Sequence, residues 1–216
     1  MPGLDFWKQR WEQNEIGFHE GQPNRYLVDL ADRIGPPSGA VLVPFCGKSV
    51  DLVWLARAGY EVVGVEISDI AARDFFAEHG LDASRSHLDG FELYRAGGIT
   101  IVVGDWYALD RNVLGTFRHV YDRAALIAVE PEGRPRYAAV MRRLCAPDAR
   151  MLLVTLEHDA PGGPPFSVPR RDVEAYYAAE FEIEPLAEHD VMPTSTSLRA
   201  RGATRALTRA DLLRHR

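Results

Sequence analysis

The segment from Val41 to Glu66 constrains the fold of this chain more than any other. It reads VLVPFCGKSVDLVWLARAGYEVVGVE: an apolar run, a turn at Gly47, a helical stretch and a second apolar run that ends on an acid. This pattern is typical of a β-α-β unit in a parallel sheet, where ligands bind beyond the carboxyl ends of the strands. Glu66 follows the turn in the register of an acid that accepts hydrogen bonds from both hydroxyls of an adenosine ribose. The segment predicts a ribose-bearing ligand, and an ordinary β-α-β unit with a buried strand-end glutamate is the alternative.

The turn after the first apolar run argues against a ligand with phosphates. A dinucleotide site requires G-x-G-x-x-G, but here Pro44 lacks an amide hydrogen, and Phe45 and Cys46 carry side chains. A Walker loop would need a glycine in place of Leu42. Within the turn only Gly47 lacks a Cβ, and the absence of the other glycines of the dinucleotide motif disfavours an NAD-dependent oxidoreductase. S-adenosylmethionine fits this turn because it has a ribose, an adenine and an amino-acid tail but no phosphate.

Composition and charge exclude several other classes of function. The chain has 216 residues, of which 46% are hydrophobic and 26% charged, as expected for one globular domain. Its net charge of -6 argues against nucleic acid as the main partner. The start of the chain has no apolar signal segment, and no apolar run reaches the roughly 18 residues of a membrane helix. Cys46 and Cys145 have no metal-ligand spacing. We expect a monomeric cytoplasmic protein without a metal.

Apolar runs alternate with stretches of helical periodicity after residue 40. Beyond the two strands of the first unit, the sequence predicts buried strands over 99–103, 119–121 and 151–156. Such alternation indicates a mostly parallel sheet with helices on both faces.

We predict a single domain over residues 1–216, with a helical extension or lid at 1–35 and an α/β core at 36–216. The end of the chain allows two interpretations. Thr208 and Asp211 precede an apolar pair and have the spacing of a helix start. A closing strand at the edge of the sheet fits the same residues.

Aromatic residues are dense in the polar stretch from residue 6 to residue 24, which includes Trp11, Phe18 and His19. An aromatic lid over a cationic sulfonium is one interpretation, since a cation over a ring gains roughly 0.5–2 kcal/mol when desolvated. A hydrophobic staple that holds the extension onto the domain is the other.

Three segments follow predicted strands and are candidates for the same site. Asp105 can accept a hydrogen bond from an adenine amino group or cap the following turn, and Trp106 can stack on the adenine ring. Arg123 can hold an anionic substrate or pair with Asp122 as a structural bridge. The stiff apolar loop at 162–169, GGPPFSVP, can wall a substrate pocket.

Six stretches together resemble the thiopurine S-methyltransferase family, within the class I S-adenosylmethionine-dependent methyltransferases. They are FWKQRW, IGFHEGQPN, VPFCGKSVDLVWLARAGYEVVGVEIS, GDWYAL, YDRAALIAV and GPPFSV. The resemblance implies a seven-stranded Rossmann-like sheet that is parallel except for its last strand. It also implies S-adenosylmethionine as cofactor, with S-adenosylhomocysteine as product. The end of the chain departs from the family, which has a glutamate and an aromatic residue where Arg209 and Asp211 stand here.

The resemblance also assigns roles residue by residue. Against the cofactor it implies Trp11, Phe45, Gly47, Glu66, Asp105, Trp106 and Arg123. Beside the acceptor it implies Phe18, His19 and Arg123.

The reaction implied is an in-line attack of a thiolate on the cofactor methyl group. An aromatic or heterocyclic thiol ionises readily, so we expect Arg123 to favour the anionic acceptor and no dedicated general base to be needed. His19 is at most an auxiliary proton acceptor, and a neutral structural role is its alternative. Rival acceptors are tellurite, selenium compounds, halide or thiocyanate, in a detoxification role. A rival from another class is a sensor that binds an adenosine ligand without turnover.

Overall fold

One mixed β-sheet organises the computed structural model of the chain, which describes residues 4–17 and 19–216. Within these residues the sheet has nine strands: β1 (Ala40–Pro44), β2 (Glu61–Glu66), β3 (Ser84–Leu88), β4 (Phe91–Ala96), β5 (Ile99–Val103), β6 (Phe117–Arg123), β7 (Cys145–His158), β8 (Phe181–Asp190) and β9 (Ala206–His215). Their order across the sheet is β3-β4-β5-β2-β1-β6-β7-β9-β8.

The centre of the sheet is parallel and positions the predicted site. Strands β5, β2, β1, β6 and β7 pair in parallel, so their carboxyl ends lie along one edge. Glu66 ends β2, Pro44 ends β1 and Arg123 ends β6. The β-α-β unit and the mostly parallel sheet are therefore confirmed.

The prediction of seven strands is wrong, because the structure adds two antiparallel strands beside β5. Gly97 and Gly98 adopt positive φ angles of 59° and 78° and turn β4 back into β5. Strand β3 then pairs with β4 at the outer edge and is exposed along its whole length. Its sequence, SRSHL, lacks the alternation of apolar and polar residues that indicates a half-buried strand, so the sequence did not predict it.

The end of the chain forms a strand and not a helix. Strand β9 is antiparallel to both of its neighbours, β7 and β8, and so lies inside the sheet. Asp211 pairs with Leu153 in the register of β7 and β9. Both alternatives for this segment need correction, since Thr208 starts no helix and the strand is not at the edge.

Helices cover both faces of the sheet, as predicted. They are α1 (Leu4–Glu12), α2 (Arg25–Leu30), α3 (Asp51–Arg57), α4 (Asp69–Glu78), α5 (Arg111–Leu114), α6 (Arg134–Leu144), α7 (Arg170–Tyr177) and α8 (Thr196–Ala200). Residues of α2, α3 and α4 pack with Val41 and Val43 on one face, and residues of α6 and α7 pack with Leu42 on the other. The alternation along β1 thus divides the core into two layers.

Local signals in the sequence set several helix ends. Ser68 caps α4 by accepting a hydrogen bond from the Ala71 amide, and Asn24 caps α2 by accepting one from the Tyr26 amide. Gly59 follows α3 with a φ of 98°, a left-handed conformation that glycine adopts readily at the end of a helix. Helix α2 stops at Leu30 and continues as a 3₁₀ turn, Ala31–Ile34.

Candidate active site

The carboxylate of Glu66 lies in a cradle of backbone amides at the end of β2. Its Oε2 accepts a hydrogen bond from the Gly47 amide at 2.9 Å, and its Oε1 accepts from the amides of Ile67 at 2.8 Å and Ser68 at 2.9 Å. Burial raises the pKa of Glu66, and the three amides oppose this shift. Since Oε1 already accepts two hydrogen bonds, the spare capacity lies on Oε2.

The turn between β1 and α3 depends on two left-handed residues. Phe45 has a φ of 46° and Gly47 a φ of 52°. A Cβ on Gly47 would lie 3.2 Å from Cζ2 of Trp11, whose buried ring covers the turn. The side chain of Cys46 packs inward, with its Sγ 2.6 Å from where a Cβ on Gly64 would be. The turn therefore needs a small residue at Gly47 to admit both its backbone conformation and the indole.

Asp105 and Trp106 follow β5, next to the glutamate cradle. The Gly104 amide donates to the Glu66 carbonyl at 2.9 Å, which holds the two segments together. Asp105 accepts a hydrogen bond from the Tyr107 amide through its Oδ1, so it does cap the following turn. Its Oδ2 accepts no hydrogen bond from the residues that the structure describes. Asp105 is half-buried, and this oxygen is the part of it that can serve a ligand.

The indole of Trp106 belongs to the hydrophobic core. It is buried, stacks on Tyr137 with ring centroids 5.3 Å apart and meets Phe45 edge-on at 5.9 Å. Phe45 in turn packs against Tyr137 at 5.4 Å. The buried indole of Trp106 therefore packs against Phe45 and Tyr137 within the core.

Arg123 pairs with acids that the sequence did not suggest. Its Nε and Nη2 donate to Oδ2 of Asp51 at 3.3 and 3.0 Å, and Nη2 lies 3.5 Å from Oε2 of Glu20. The alternative that pairs it with Asp122 is wrong, because consecutive strand residues point to opposite faces. Asp122 accepts a hydrogen bond from the Tyr137 hydroxyl at 2.8 Å instead. Burial opposes the charge on Arg123, but the nearby carboxylates outweigh it and raise its pKa.

Asp51 is the member of this cluster that the sequence did not indicate. It is buried at the start of α3 and also accepts hydrogen bonds from the Asn24 amide at 2.8 Å and the Tyr121 hydroxyl at 3.0 Å. It thus connects the N-terminal segment to the end of β6. An acid in the first turn of a helix is ordinary and does not by itself indicate a site. Arg123 lies 72 residues further along the chain, so the sequence did not indicate that the two residues pair.

His19 lies near the same cluster. Burial lowers its pKa, and the charges of Lys48 and Arg123 lower it further, against the acids Glu78 and Glu20. Lys48 itself forms an ion pair with Glu78 at 2.5 Å. Phe18, the other aromatic predicted beside the acceptor, lies outside the described residues. The lowered pKa favours the neutral interpretation of His19.

Side chains from two directions fix the loop at 162–169. Arg201, after α8, donates to the carbonyls of Pro161 at 2.9 Å and Gly162 at 2.6 Å. Arg134, buried in α6, donates to the carbonyl of Ser167 at 2.9 Å. The loop is therefore held in one conformation beyond β7, as a pocket wall requires.

The predicted residues fall into two neighbouring groups at the carboxyl edge of the sheet. Trp11 and Gly47 join Glu66 in the first, with Phe45 and Asp105 beside it. His19 and Arg123 form the second, together with Glu20 and Asp51. Among the described residues, no three His, Cys, Asp or Glu side chains are grouped as metal ligands.

Comparison with known proteins adds a family to this geometry. The family model described as "Thiopurine S-methyltransferase (TPMT)" matches residues 3–216. A thiopurine S-methyltransferase of Pseudomonas paraeruginosa is 44% identical over 203 residues, 93% of each chain. One of Methylococcus capsulatus is 41% identical over 214 residues, 97% of this chain and 96% of the relative.

Solved structures with lower identity share the fold. A SAM-dependent methyltransferase from Anabaena variabilis has a TM-score of 0.71 at 17% identity, over 99% of this chain and 95% of that one. A 1,6-didemethyltoxoflavin-N1-methyltransferase of Burkholderia thailandensis, solved with S-adenosylhomocysteine, has a TM-score of 0.66 at 17% identity, over 98% and 86% of the two chains.

Proposed function

Because the chain belongs to the thiopurine S-methyltransferase family, we propose that it methylates the sulfur of an aromatic or heterocyclic thiol. It is an S-adenosylmethionine-dependent methyltransferase, as its family is. The observation that carries the proposal is the amide cradle of Glu66, beside a turn that lacks the glycines of a phosphate site.

The residues of the first group fit S-adenosylmethionine. Oε2 of Glu66 would accept a hydrogen bond from a ribose hydroxyl, and Oδ2 of Asp105 one from the adenine amino group. The rings of Trp11 and Phe45 border the turn, where a positive sulfur gains from an aromatic neighbour. When bound, the cofactor supplies a methyl group that the positive sulfur already activates.

The second group suits an anionic acceptor. Arg123 keeps its Nη1 without a hydrogen bond to the described residues, so one edge of the guanidinium can turn toward a thiolate, directly or through water. Arg123 also borders the cofactor position, since β6 ends beside β1. A neutral His19 can accept a proton from a thiol that arrives protonated, but an ionised thiol needs no base. Alignment of the reactants and exclusion of water then supply most of the rate.

We further propose that the enzyme acts as a monomer in the cytoplasm on small molecules and not on nucleic acid. Two buried, free cysteines support a reducing compartment such as the cytoplasm, and a net charge of -6 argues against nucleic acid. None of the helices described has the length and apolar character needed to cross a membrane.

A methyl-transfer assay on an aromatic thiol and on tellurite, run in parallel, tests the function. We expect turnover of the thiol with S-adenosylhomocysteine as product. Turnover of tellurite alone would replace the thiol by an inorganic acceptor. Binding of S-adenosylhomocysteine without turnover of either acceptor would contradict the enzyme and favour a sensor.

A further inference from the structure

The acceptor end of the site holds two acids for one guanidinium. Arg123 lies 3.0 Å from Asp51 and 3.5 Å from Glu20. The other charges nearby cancel, because Lys48 is paired with Glu78. Two carboxylates that face one guanidinium leave an excess of negative charge in a place that should receive an anion.

The two acids are held very differently. Asp51 is buried and accepts hydrogen bonds from the Asn24 amide and the Tyr121 hydroxyl in addition to Arg123. Glu20 is 54% exposed, and its carboxylate forms an ion pair with Arg123 at 3.5 Å. Exposed ion pairs contribute about 0–1 kcal/mol. Asp51 is therefore a permanent partner of Arg123, whereas Glu20 can leave at little cost.

We propose that Glu20 is a displaceable counter-ion of Arg123, which an anionic thiolate replaces on binding, and that Glu20 thereby sets the charge selectivity for the acceptor. The proposal rests on the proposed function, in which Arg123 faces the acceptor. Glu20 is on this account a specificity-determining residue and takes no part in the bond changes.

The charge balance of the reaction explains why such a residue is useful. The thiolate sulfur forms a bond to the methyl carbon while the bond from that carbon to the sulfonium breaks, with its electron pair going to the sulfonium sulfur. A negative and a positive charge disappear together. An unopposed guanidinium would stabilise the thiolate more in the ground state than in the transition state, which lowers KM without raising kcat. Glu20 competes with the thiolate for Arg123 and so keeps this stabilisation of the ground state small.

Steady-state kinetics of Glu20→Gln test the proposal. With thiophenol as the thiolate at about pH 8, we expect KM to fall about threefold and kcat not to rise. With thiosalicylate, which carries an additional carboxylate, KM should fall further. Glu15→Gln is the matched control, because Glu15 is 55% exposed and lies 3.5 Å from Arg10 in the same segment; it should change neither constant.

A second variant shows whether Glu20 acts through Arg123. In an Arg123→Ala background, Glu20→Gln should no longer change the acceptor KM, as expected for coupled residues. An unchanged KM in Glu20→Gln, or an equal change of KM in Glu15→Gln, would overturn the inference. The proposed function would still stand in that case if Arg123→Ala raised the acceptor KM. A wild-type enzyme without thiol turnover would overturn the proposed function and this inference with it.

Discussion

The two ends of the site are built from different materials. At the proposed cofactor end, three backbone amides from adjacent turns hold Glu66. At the proposed acceptor end, the side chains of Asp51 and Glu20 hold Arg123, and these residues come from distant parts of the chain. A cradle of amides is fixed by strand register, whereas a cluster of charges depends on each member. We expect the acceptor end to be easily retuned by single substitutions and the cofactor end to be rigid.

The strongest effect on the comparison should come from Arg123→Ala. Removal of a charge-assisted contact to the acceptor should lower kcat/KM for an aromatic thiol about 10- to 100-fold. Arg118→Ala, on the exposed part of the same strand, should leave kinetics unchanged. Unchanged kinetics in Arg123→Ala would show that the acceptor lies elsewhere.

Replacement of Asp51 by Asn should destabilise the cluster around Arg123. The substitution removes the charge that holds Arg123 in a buried place, so the free energy of unfolding should fall by about 2 kcal/mol. Urea unfolding monitors this, with Asp69→Asn as the control, since Asp69 also begins a helix but is 39% exposed. An equal loss in both variants would mean that Asp51 serves only its helix.

The pH dependence of the free energy of unfolding should reveal the raised pKa of Asp122, the strand neighbour of Arg123. Burial raises the pKa of Asp122 to about 7, from 3.8 for an ordinary aspartate. The contribution of Asp122 to stability is thus fully present below about pH 4 and is lost as pH rises through about 7. Asp122→Asn should flatten the fall in unfolding free energy between these values, which amounts to at most about 4 kcal/mol for a shift of this size. A wild-type profile that rises over this interval would contradict the assignment.

The smallest effect concerns the turn of the cofactor end. Gly47→Ala and Gly80→Ala both place a Cβ on a left-handed residue, and each should cost about 1 kcal/mol of stability. Only at Gly47 does the new Cβ meet the ring of Trp11, at 3.2 Å, while at Gly80 nothing lies within 4 Å. Calorimetry should find weaker binding of S-adenosylhomocysteine in Gly47→Ala alone.

The same difference, between local backbone patterns and pairs of distant side chains, explains which parts of the site the sequence predicted. The turn at Gly47 and the strand-end acid Glu66 are local patterns, and the structure has them where the sequence predicts them. The pairing of Asp51 with Arg123 joins the start of α3 to the end of β6, 72 residues further along the chain, and no local pattern encodes it.

Buried charged residues also explain why the sequence did not predict β9 as an interior strand. Strand β9 buries Arg209 between Glu157 and Glu188, and it buries Asp211 within 3.5 Å of Arg170. Buried ion pairs of this kind interrupt the apolar alternation by which a strand is recognised, so an interior strand had the sequence pattern of a helix start.

Calorimetric titration with S-adenosylhomocysteine tests the central claim most directly, that the cofactor binds at the amide cradle. Glu66→Ala should abolish the heat of binding, while Glu61→Ala, at the exposed opposite end of the same strand, should retain it. Wild-type affinity in Glu66→Ala would place the cofactor elsewhere and contradict the account.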